Sequence, residues 1–401
     1  MKKNKSFFTR FIQKFAEGLI TLSGGVTSLA VILIVVYLFK ESVGLFQRTT
    51  VAQEFVMAVH KSNSIDHLDA TKIKLVFDQE ITNWKQLGGP NDTIITFRWE
   101  DAGYYFTEEE MGADFENLPH CIAVMADTMT GMLAFIPKHY ITNEFTGKIL
   151  SEEKVSPGSF FFGKEWFPTA EPAAQLGVWP LIMGTLWVSL GAILLSLPLG
   201  LGVAIYLSEI ASDKLRRVIK PLIELLAGIP SVVFGFFGLV IIVPIIQRWF
   251  DLPVGETALA GSVILAIMAL PTIITIAEDA MRTVPRSMRE ASLALGASRW
   301  QTIYRVVVPY AASGISAAAI LGVGRAVGET MAVLMVTGNA AIIPHSFFEP
   351  VRTIPATIAA ELGEAPQGGI HYEALFTLGV ILFVITLCIN LLVDYLSTRK
   401  R

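Results

Sequence analysis

Two charged residues interrupt an apolar stretch of this chain. Arg325 and Glu329 lie in the run 310–336, which otherwise consists mainly of small and apolar residues. A charge inside a bilayer is costly, so charged residues within a span usually face a pathway. Residues four apart share one helix face, so we expect this guanidinium and carboxylate to line one conduit and to pair when it is empty. The alternative is an ion pair that only fixes the span to its neighbours.

The same run is built to pack closely against another helix. Small residues allow the backbones of two membrane helices to approach each other. They recur here at four-residue spacing and in a GxxxG pattern: Gly314, Ala318, Gly322 and Ala326, and Gly324 with Gly328. The run therefore predicts a helix that is packed tightly on one side and charged on another.

The composition of the chain identifies what must position these residues. Of its 401 residues, 53% are hydrophobic and 16% are charged, which is typical of a multi-span membrane protein and excludes an ordinary soluble enzyme. Six runs are about long enough to cross a bilayer of roughly 30 Å. They are 18–39, 177–207, 222–246, 257–277, 310–336 and 374–393.

The distribution of Lys and Arg predicts the orientation of the spans. Four segments hold 17 of the 31 basic residues: 1–15, 208–221, 278–309 and 394–401. Basic residues are retained on the cytoplasmic side, so both termini are expected inside. The first run is expected to be an uncleaved anchor, because it is long for a signal peptide and no small-x-small site follows it.

The chain divides into three predicted parts: an anchor helix at 1–40, an extracytoplasmic insert at 41–172 and a helical membrane domain at 173–401. Alternating residues predict strands at 72–77 and 93–98 of the insert, and two further strands are expected at 122–125 and 132–136. Residues 83–88 predict a helical turn that ends at glycine. In the last external loop, 353–362 predicts a short helix across the outer mouth.

The cytoplasmic loop 278–309 predicts two short helices joined by a fixed turn. Ser287 with Glu290, and Ser298 with Gln301, have the spacing of capping boxes, which begin helices. Gly296 between them is suited to a left-handed turn. The predicted product is a rigid knob that can transmit force from a partner, although a simple connecting loop is the alternative.

The spacing of this loop resembles a known signature. Glu290-Ala291-Ser292, then Gly296 after three residues, then Val306-x-Val308-Pro309 after nine, is similar to the EAA motif of binding-protein-dependent ABC importer permeases. The departures are Ser292 at an alanine position and valine at two other apolar positions. The resemblance implies an all-α polytopic fold with a MetI-like core of six transmembrane helices. It also implies that Glu290, Ala291, Ser292, Gly296 and Pro309 belong to the ATPase-coupling loop.

Further segments resemble phosphate importer permeases, and GETMAV at 328–333 is closer to the PstC type than to the PstA type. This resemblance implies that Arg325, Glu329 and Thr330 line the substrate pathway. It implies a PstA-type permease partner, a dimer of ATP-binding subunits and a periplasmic phosphate-binding protein. No G-x-x-x-x-G-K-[ST] motif occurs in the chain, so ATP hydrolysis is assigned to the separate subunit, and no cofactor is expected. Import of sulfate or molybdate, and a phosphate sensor without transport, are the alternatives.

The insert also resembles part of a protein family. Residues 75–89 are similar to a stretch of periplasmic phosphate-binding proteins, with a weaker likeness at 122–140. That family follows an Arg with a Ser-Gly-Thr turn, whereas Arg98 is followed by Trp99-Glu100-Asp101, which adds two carboxylates. We therefore interpret the insert as a lobe-like element for docking or regulation. A residual phosphate sensor and a neutral spacer are the alternatives.

Overall fold

The computed structural model describes residues 7–151 and 153–398. Lys2, Lys3 and Lys5, which contribute to the predicted cytoplasmic start, lie outside the described residues. Helix α1 (Phe7–Leu45) contains the first span, whose apolar side chains are largely exposed, as expected for a helix surrounded by lipid.

The insert is an α/β unit built around a four-stranded sheet of order β2-β3-β1-β4. β1 is antiparallel to β3 and β4, and β2 is parallel to β3. A small two-stranded sheet, β5-β6, joins it to the second span. The elements in chain order are β1 (Phe55–Val59), α2 (Ala70–Phe77), β2 (Ile95–Arg98), α3 (Ala102–Tyr105), α4 (Glu108–Met111), α5 (Leu118–Thr128), β3 (Met132–Pro137), β4 (Lys148–Ile149), α6 (Pro157–Phe162), β5 (Trp166–Phe167) and β6 (Gln175–Leu176).

Helices cover both faces of the larger sheet. Successive residues of a strand point to opposite faces. Met57 accordingly lies in a core with Ile73 of α2, and Ala58 lies in a second core with Ile122 of α5. The buried Trp84 donates from its indole N–H to the carbonyl of Gly131 at 3.0 Å.

Two strands predicted in the insert are helices, while the other two are confirmed. Residues 72–77 belong to α2, which Asp69 caps by accepting from the amide of Lys72, and 122–125 belong to α5. Short apolar runs fit both periodicities, and here burial at a three-residue interval, as for Ile73 and Val76, favours the helix. The predicted turn at 83–88 is confirmed, since Trp84–Leu87 is a 3₁₀ turn followed by a left-handed Gly88.

The membrane domain consists of long helices with breaks at defined points. Its helices are α7 (Trp179–Ile205), α8 (Asp213–Ala227), α9 (Ser231–Phe237), α10 (Val243–Phe250), α11 (Ala258–Arg282), α12 (Arg286–Ala294), α13 (Arg299–Thr302), α14 (Val308–Tyr310), α15 (Ala312–Val327), α16 (Met331–Val336), α17 (Ile354–Glu361) and α18 (Ile370–Thr398). π-helical turns at Tyr206–Ile210, Gly238–Ile242 and Ile303–Val307 extend or join some of them.

Five helices of the described chain are long and apolar enough to cross a membrane. A bent pair of shorter helices brings the number to six if the pair is counted as one span. The five are Lys14–Leu45, Trp179–Ile210, Ser231–Phe250, Ala258–Arg282 and Ile370–Tyr395. The bent pair is Arg299–Tyr310 with Ala312–Val327, at 72°.

Two predicted spans are corrected by the structure. The third begins at Ser231 rather than at 222, because residues 228–230 separate α8 from α9 and proline restricts the residue before it. The fifth is not one helix over 310–336: α15 ends at Val327, and α16 begins at Met331. The short helix predicted at 353–362 is confirmed as α17, which Thr353 caps, and its external position stays a prediction.

The insert is joined to one end of the spans by one apolar cluster. The cluster draws residues from the end of α1, from α6 to β6, from α17 and from α18, and it includes Leu45, Phe160, Trp166, Ile354 and Leu375. An ion pair between Arg48 and Glu373 at 2.7 Å reinforces this contact. The insert therefore packs directly against this end of the membrane domain, which we call the insert-side rim.

Candidate functional site

The small-residue face of α15 packs against α11, as its spacing predicts. A Cβ added to Gly314 would come within 2.3 Å of Ala280 Cβ, and one added to Gly322 within 2.7 Å of Ile273. Ala318 and Ala326 on the same face are buried. A Cβ added to Gly324, by contrast, would meet nothing within 4 Å, so the predicted GxxxG pair makes no close helix contact with the part of the chain that the structure describes.

This packing brings Arg325 to the middle of α11. Its Nη1 donates a hydrogen bond to Thr272 Oγ1 at 3.3 Å. Thr272 is the fifteenth residue of the 25-residue helix α11, so it lies about 21 Å from the start of a helix about 37 Å long. A half-buried guanidinium is therefore held beside the middle of a helix that is long and apolar enough to cross a membrane.

The predicted pairing of Arg325 with Glu329 is wrong for this structure. Among the described residues, no carboxylate oxygen lies within 4.0 Å of the Arg325 guanidinium. The helix that would place both on one face ends at Val327, and Glu329 and Thr330 lie in the non-helical break before Met331. Gly328 at the break has little intrinsic helix preference. The guanidinium and the half-buried carboxylate therefore remain available as a separate donor and acceptor.

The loop 278–309 forms the predicted knob. Its first helix is α12, and Gly296 follows in a left-handed conformation with φ +85°. Ser298 and Gln301 then form the predicted capping box at the start of α13. The predicted box of Ser287 and Glu290 is wrong, because α12 begins at Arg286 directly after Pro285, which places Ser287 within the first turn.

Ser292, the departure from Glu-Ala-Ala, joins the two helices of the knob. Its Oγ lies 3.0 Å from Thr302 Oγ1, which also donates to the carbonyl of Ser298 at 3.2 Å. An alanine could not make this contact. On the outer surface of the knob, Leu295 and Trp300 are 89% and 61% exposed. A rigid unit with an exposed apolar tip is suited to bind another protein.

Pro309 and Glu290 lie at two edges of this loop. Pro309 is in α14, directly after the π turn Ile303–Val307, and the chain bends by 72° before α15. Glu290 is exposed and makes no ion pair among the described residues, so its carboxylate faces solvent. Ala291 is also exposed on α12.

Arg289, which sequence reasoning missed, fixes the orientation of the knob. It donates to both carboxylate oxygens of Glu209 at the end of the second span, at 3.1 and 2.8 Å. It also donates to the carbonyls of Met281 and Val284 at the end of the fourth span. Bidentate Arg–carboxylate contacts are among the strongest and most directional in proteins. The position of Arg289 just before Glu290 was the available signal.

A second missed cluster surrounds Glu278, which is completely buried in α11. Arg216 Nε and Lys220 Nζ of α8 lie 2.6 and 3.0 Å from its carboxylate oxygens, and Arg282 lies 3.8 Å away. Neither oxygen has a well-aligned hydrogen bond among the described residues, so the attraction is mainly electrostatic. The cluster ties α8 to the helix that leads into the knob. The sequence feature that could have revealed this cluster is an acidic residue near the end of a span, together with basic residues spaced four apart on a separate helix.

The chain matches known proteins over the membrane domain. Residues 196–401 match the family described as "Binding-protein-dependent transport system inner membrane component". The chain is 42% identical over 247 residues to "Probable ABC transporter permease protein YqgH" of Bacillus subtilis, covering 62% of this chain and 80% of that protein. It is 40% identical over 260 residues to "Phosphate transport system permease protein PstC" of Mesorhizobium japonicum, covering 60% and 78%. Among solved structures, the MetNI methionine ABC transporter aligns with a TM-score of 0.43 at 22% identity, covering 56% of this chain and 94% of that one.

Proposed function

The chain belongs to the binding-protein-dependent transport system inner membrane component family, and on that premise we propose that it is one permease subunit of an ATP-driven inorganic phosphate importer. The choice of anion site rests on Arg325, whose guanidinium lies beside the middle of α11, a helix long enough to cross a membrane, with no carboxylate within ion-pair distance among the described residues. The curated PstC relatives support phosphate as the substrate.

The proposed role of Arg325 follows from its chemistry. Guanidinium is planar and always charged, and it binds phosphate oxygens through pairs of parallel N–H donors. Its field is stronger inside the membrane domain than in water, because the surrounding dielectric is lower. Glu329 and Thr330 are the other residues that we assign to the substrate pathway. Glu329 can accept a hydrogen bond from a protonated phosphate oxygen, and the Thr330 hydroxyl can donate one.

The test is replacement of Arg325 in the assembled importer. Arg325→Gln keeps hydrogen-bonding groups but removes the charge, so uptake of phosphate into proteoliposomes should be abolished while the ATPase subunits still assemble. Arg248→Gln, at an exposed position at the end of the third span, is the matched control and should transport normally. Normal uptake by the Arg325 variant would refute the proposed site.

Other oxyanions are the nearest alternative, since sulfate and molybdate also suit an arginine. Uptake of phosphate, sulfate and molybdate by the same proteoliposomes distinguishes the three, and we expect phosphate alone to be accumulated. A phosphate sensor without transport would respond to phosphate but accumulate none of them. The bent coupling knob, fixed to two spans by Arg289, favours a transporter over a sensor.

The proposed partners are supported by the family and by the PstC relatives. A dimer of ATP-binding subunits would dock on the knob of α12 and α13, a PstA-type permease would complete the membrane pathway, and a periplasmic phosphate-binding protein would deliver the anion. Both termini are then cytoplasmic. Cysteine labelling from either side of the membrane, at the knob and in the insert, tests this orientation.

We propose that the chain has three parts: 1–40, 41–172 and 173–401. The middle part, the insert, would serve docking or regulation. Arg98 lies 5.0 Å from the centroid of the Phe77 ring, in a cation–π contact, and the next turn carries Glu100 and Asp101, which repel anions. Arg98→Ala in the complete importer should leave the half-saturating phosphate concentration unchanged, as should Lys85→Ala at an exposed position. A tenfold or larger increase for the Arg98 variant alone would favour the phosphate-sensor alternative.

A further inference from the structure

The hydroxyl of Thr272 is hydrogen-bonded to a neighbouring helix. Thr185 and Thr377 both donate to the carbonyl four residues earlier in their own helices, at 2.7 and 2.8 Å. Among the described residues, Thr272 makes no such bond, and its Oγ1 accepts from Arg325 instead. The hydroxyl is thus committed to a neighbouring helix rather than to its own backbone.

The position of Thr272 explains why it can serve this contact. It directly follows Pro271, which is buried inside α11 and has no N–H to donate. Proline in a helix interior removes one backbone hydrogen bond and bends the helix locally. Ile273, the next residue, contacts Gly322 at the small-residue face of α15. The two helices are therefore in direct contact at the level of the hydroxyl.

The alternative partner of Arg325 is Glu329, four residues later. An Arg–carboxylate pair would occupy two guanidinium donors and neutralise the charge that an anion needs. The contact with Thr272 uses one of the five N–H donors and adds no charge. The hydroxyl can thus orient the guanidinium while leaving it positively charged and largely unoccupied.

We propose that Thr272 is the positioning residue of the anion site. It holds Arg325 on α11 and away from Glu329, so that the remaining guanidinium donors meet the passing anion. The inference rests on the proposed function, because it assigns a supporting residue to the same site.

The experiment measures phosphate transported per ATP hydrolysed by the complete importer in proteoliposomes. Thr272→Val removes the hydroxyl at nearly constant volume, and Thr272→Ser keeps it. For the valine variant we expect the ratio to fall about tenfold, the order expected for losing a hydrogen bond to a charged group, with ATP hydrolysis close to its normal rate. The serine variant should stay near the wild-type ratio.

The ratio separates positioning from a purely structural role. A structural defect would lower transport and ATP hydrolysis together and reduce the thermal stability of both the valine and the serine variants, which would overturn the inference. So would a wild-type ratio for Thr272→Val. If Thr272→Val does not assemble, Thr272→Ala removes the same hydroxyl without the branched side chain, and the same ratio decides. Normal transport by Arg325→Gln would instead overturn the proposed site itself. This variant keeps Thr272, so its transport is measured separately from the Thr272 variants.

Discussion

Arg289 of the knob and Glu209 at the end of the second span form a two-pronged ion pair, with contacts of 3.1 and 2.8 Å. Both side chains are mostly buried, at 21% and 10% exposed. Because Arg289 also binds carbonyls at the end of the fourth span, one side chain fixes the knob to two spans. Force applied to the knob can therefore reach both spans without deforming the loop.

Arg289→Ala should uncouple ATP hydrolysis from transport. The substitution removes the guanidinium that links the knob to the spans and leaves Glu209 without its partner. Uptake of phosphate should fall at least tenfold, on the scale of about 3 kcal/mol for breaking a mostly buried pair, while the ATPase subunits still bind. Arg286→Ala, on an exposed side chain of the same helix, is the control and should leave uptake unchanged. Arg289→Lys, which keeps the charge but not the fork, should be intermediate; uptake equal to the wild type would contradict this role.

Gly296 should resist substitution for a backbone reason alone. Its φ of +85° is left-handed, and a Cβ at this position would touch nothing within 4 Å. Gly296→Ala should therefore cost about 1–2 kcal/mol through the backbone and weaken binding of the ATPase subunits by roughly tenfold. Gly296→Asn should be milder, because asparagine tolerates this conformation better. Binding of purified ATPase subunits to detergent-solubilised permease measures the difference, and equal binding by all three proteins would contradict the argument.

Glu278 should be required for the stability of the half of the membrane domain that adjoins the knob. Glu278→Gln leaves Arg216, Lys220 and Arg282 without their buried countercharge, so the free energy of unfolding should fall by about 3 kcal/mol. Asp279→Asn, next to it but 59% exposed, should have a much smaller effect. Thermal unfolding in detergent measures both.

A second variant tests whether the Glu278 effect is electrostatic. Replacing Glu278 by Leu together with Arg216 and Lys220 by Met removes the charges jointly, and stability should largely return, because apolar groups of similar volume often replace a buried ion pair without loss. If the triple variant is as unstable as Glu278→Gln, packing rather than charge explains the effect.

The sequence predicts features that depend on neighbours along the chain and fails where the partner is distant. The left-handed Gly296, the Ser298 cap and the α17 helix follow from local chemistry and were correctly placed. Residues 72–77 and 122–125 were misassigned because short apolar runs fit two periodicities. Arg325 was expected to meet Glu329 because a continuous helix was assumed. Its actual partner Thr272 is 53 residues away, and only the packing of α15 on α11 identifies it.

Glu361 should make the insert-side rim of the protein sensitive to acid. Its carboxylate accepts from Arg352 at 2.7 Å, from His371 at 2.9 Å and from Trp166 of the insert at 3.0 Å. Burial by itself raises the pKa of the Glu361 carboxyl, but the hydrogen bonds from His371 and Trp166 and the charge of Arg352 together hold this pKa below its ordinary value.

A carboxyl whose pKa is lower in the folded state contributes stability above its unfolded pKa, and this contribution is lost as the pH falls through the folded pKa. Glu361→Gln should therefore lower the unfolding temperature at pH 7, and its difference from the wild type should shrink below about pH 4, where the unfolded carboxyl is also protonated. Glu364→Gln, exposed three residues later, should show no such dependence. Unfolding temperatures across this pH range decide the matter: a Glu361→Gln difference that stays constant from pH 7 to the acid limit would mean that shape, not charge, holds the insert to the rim.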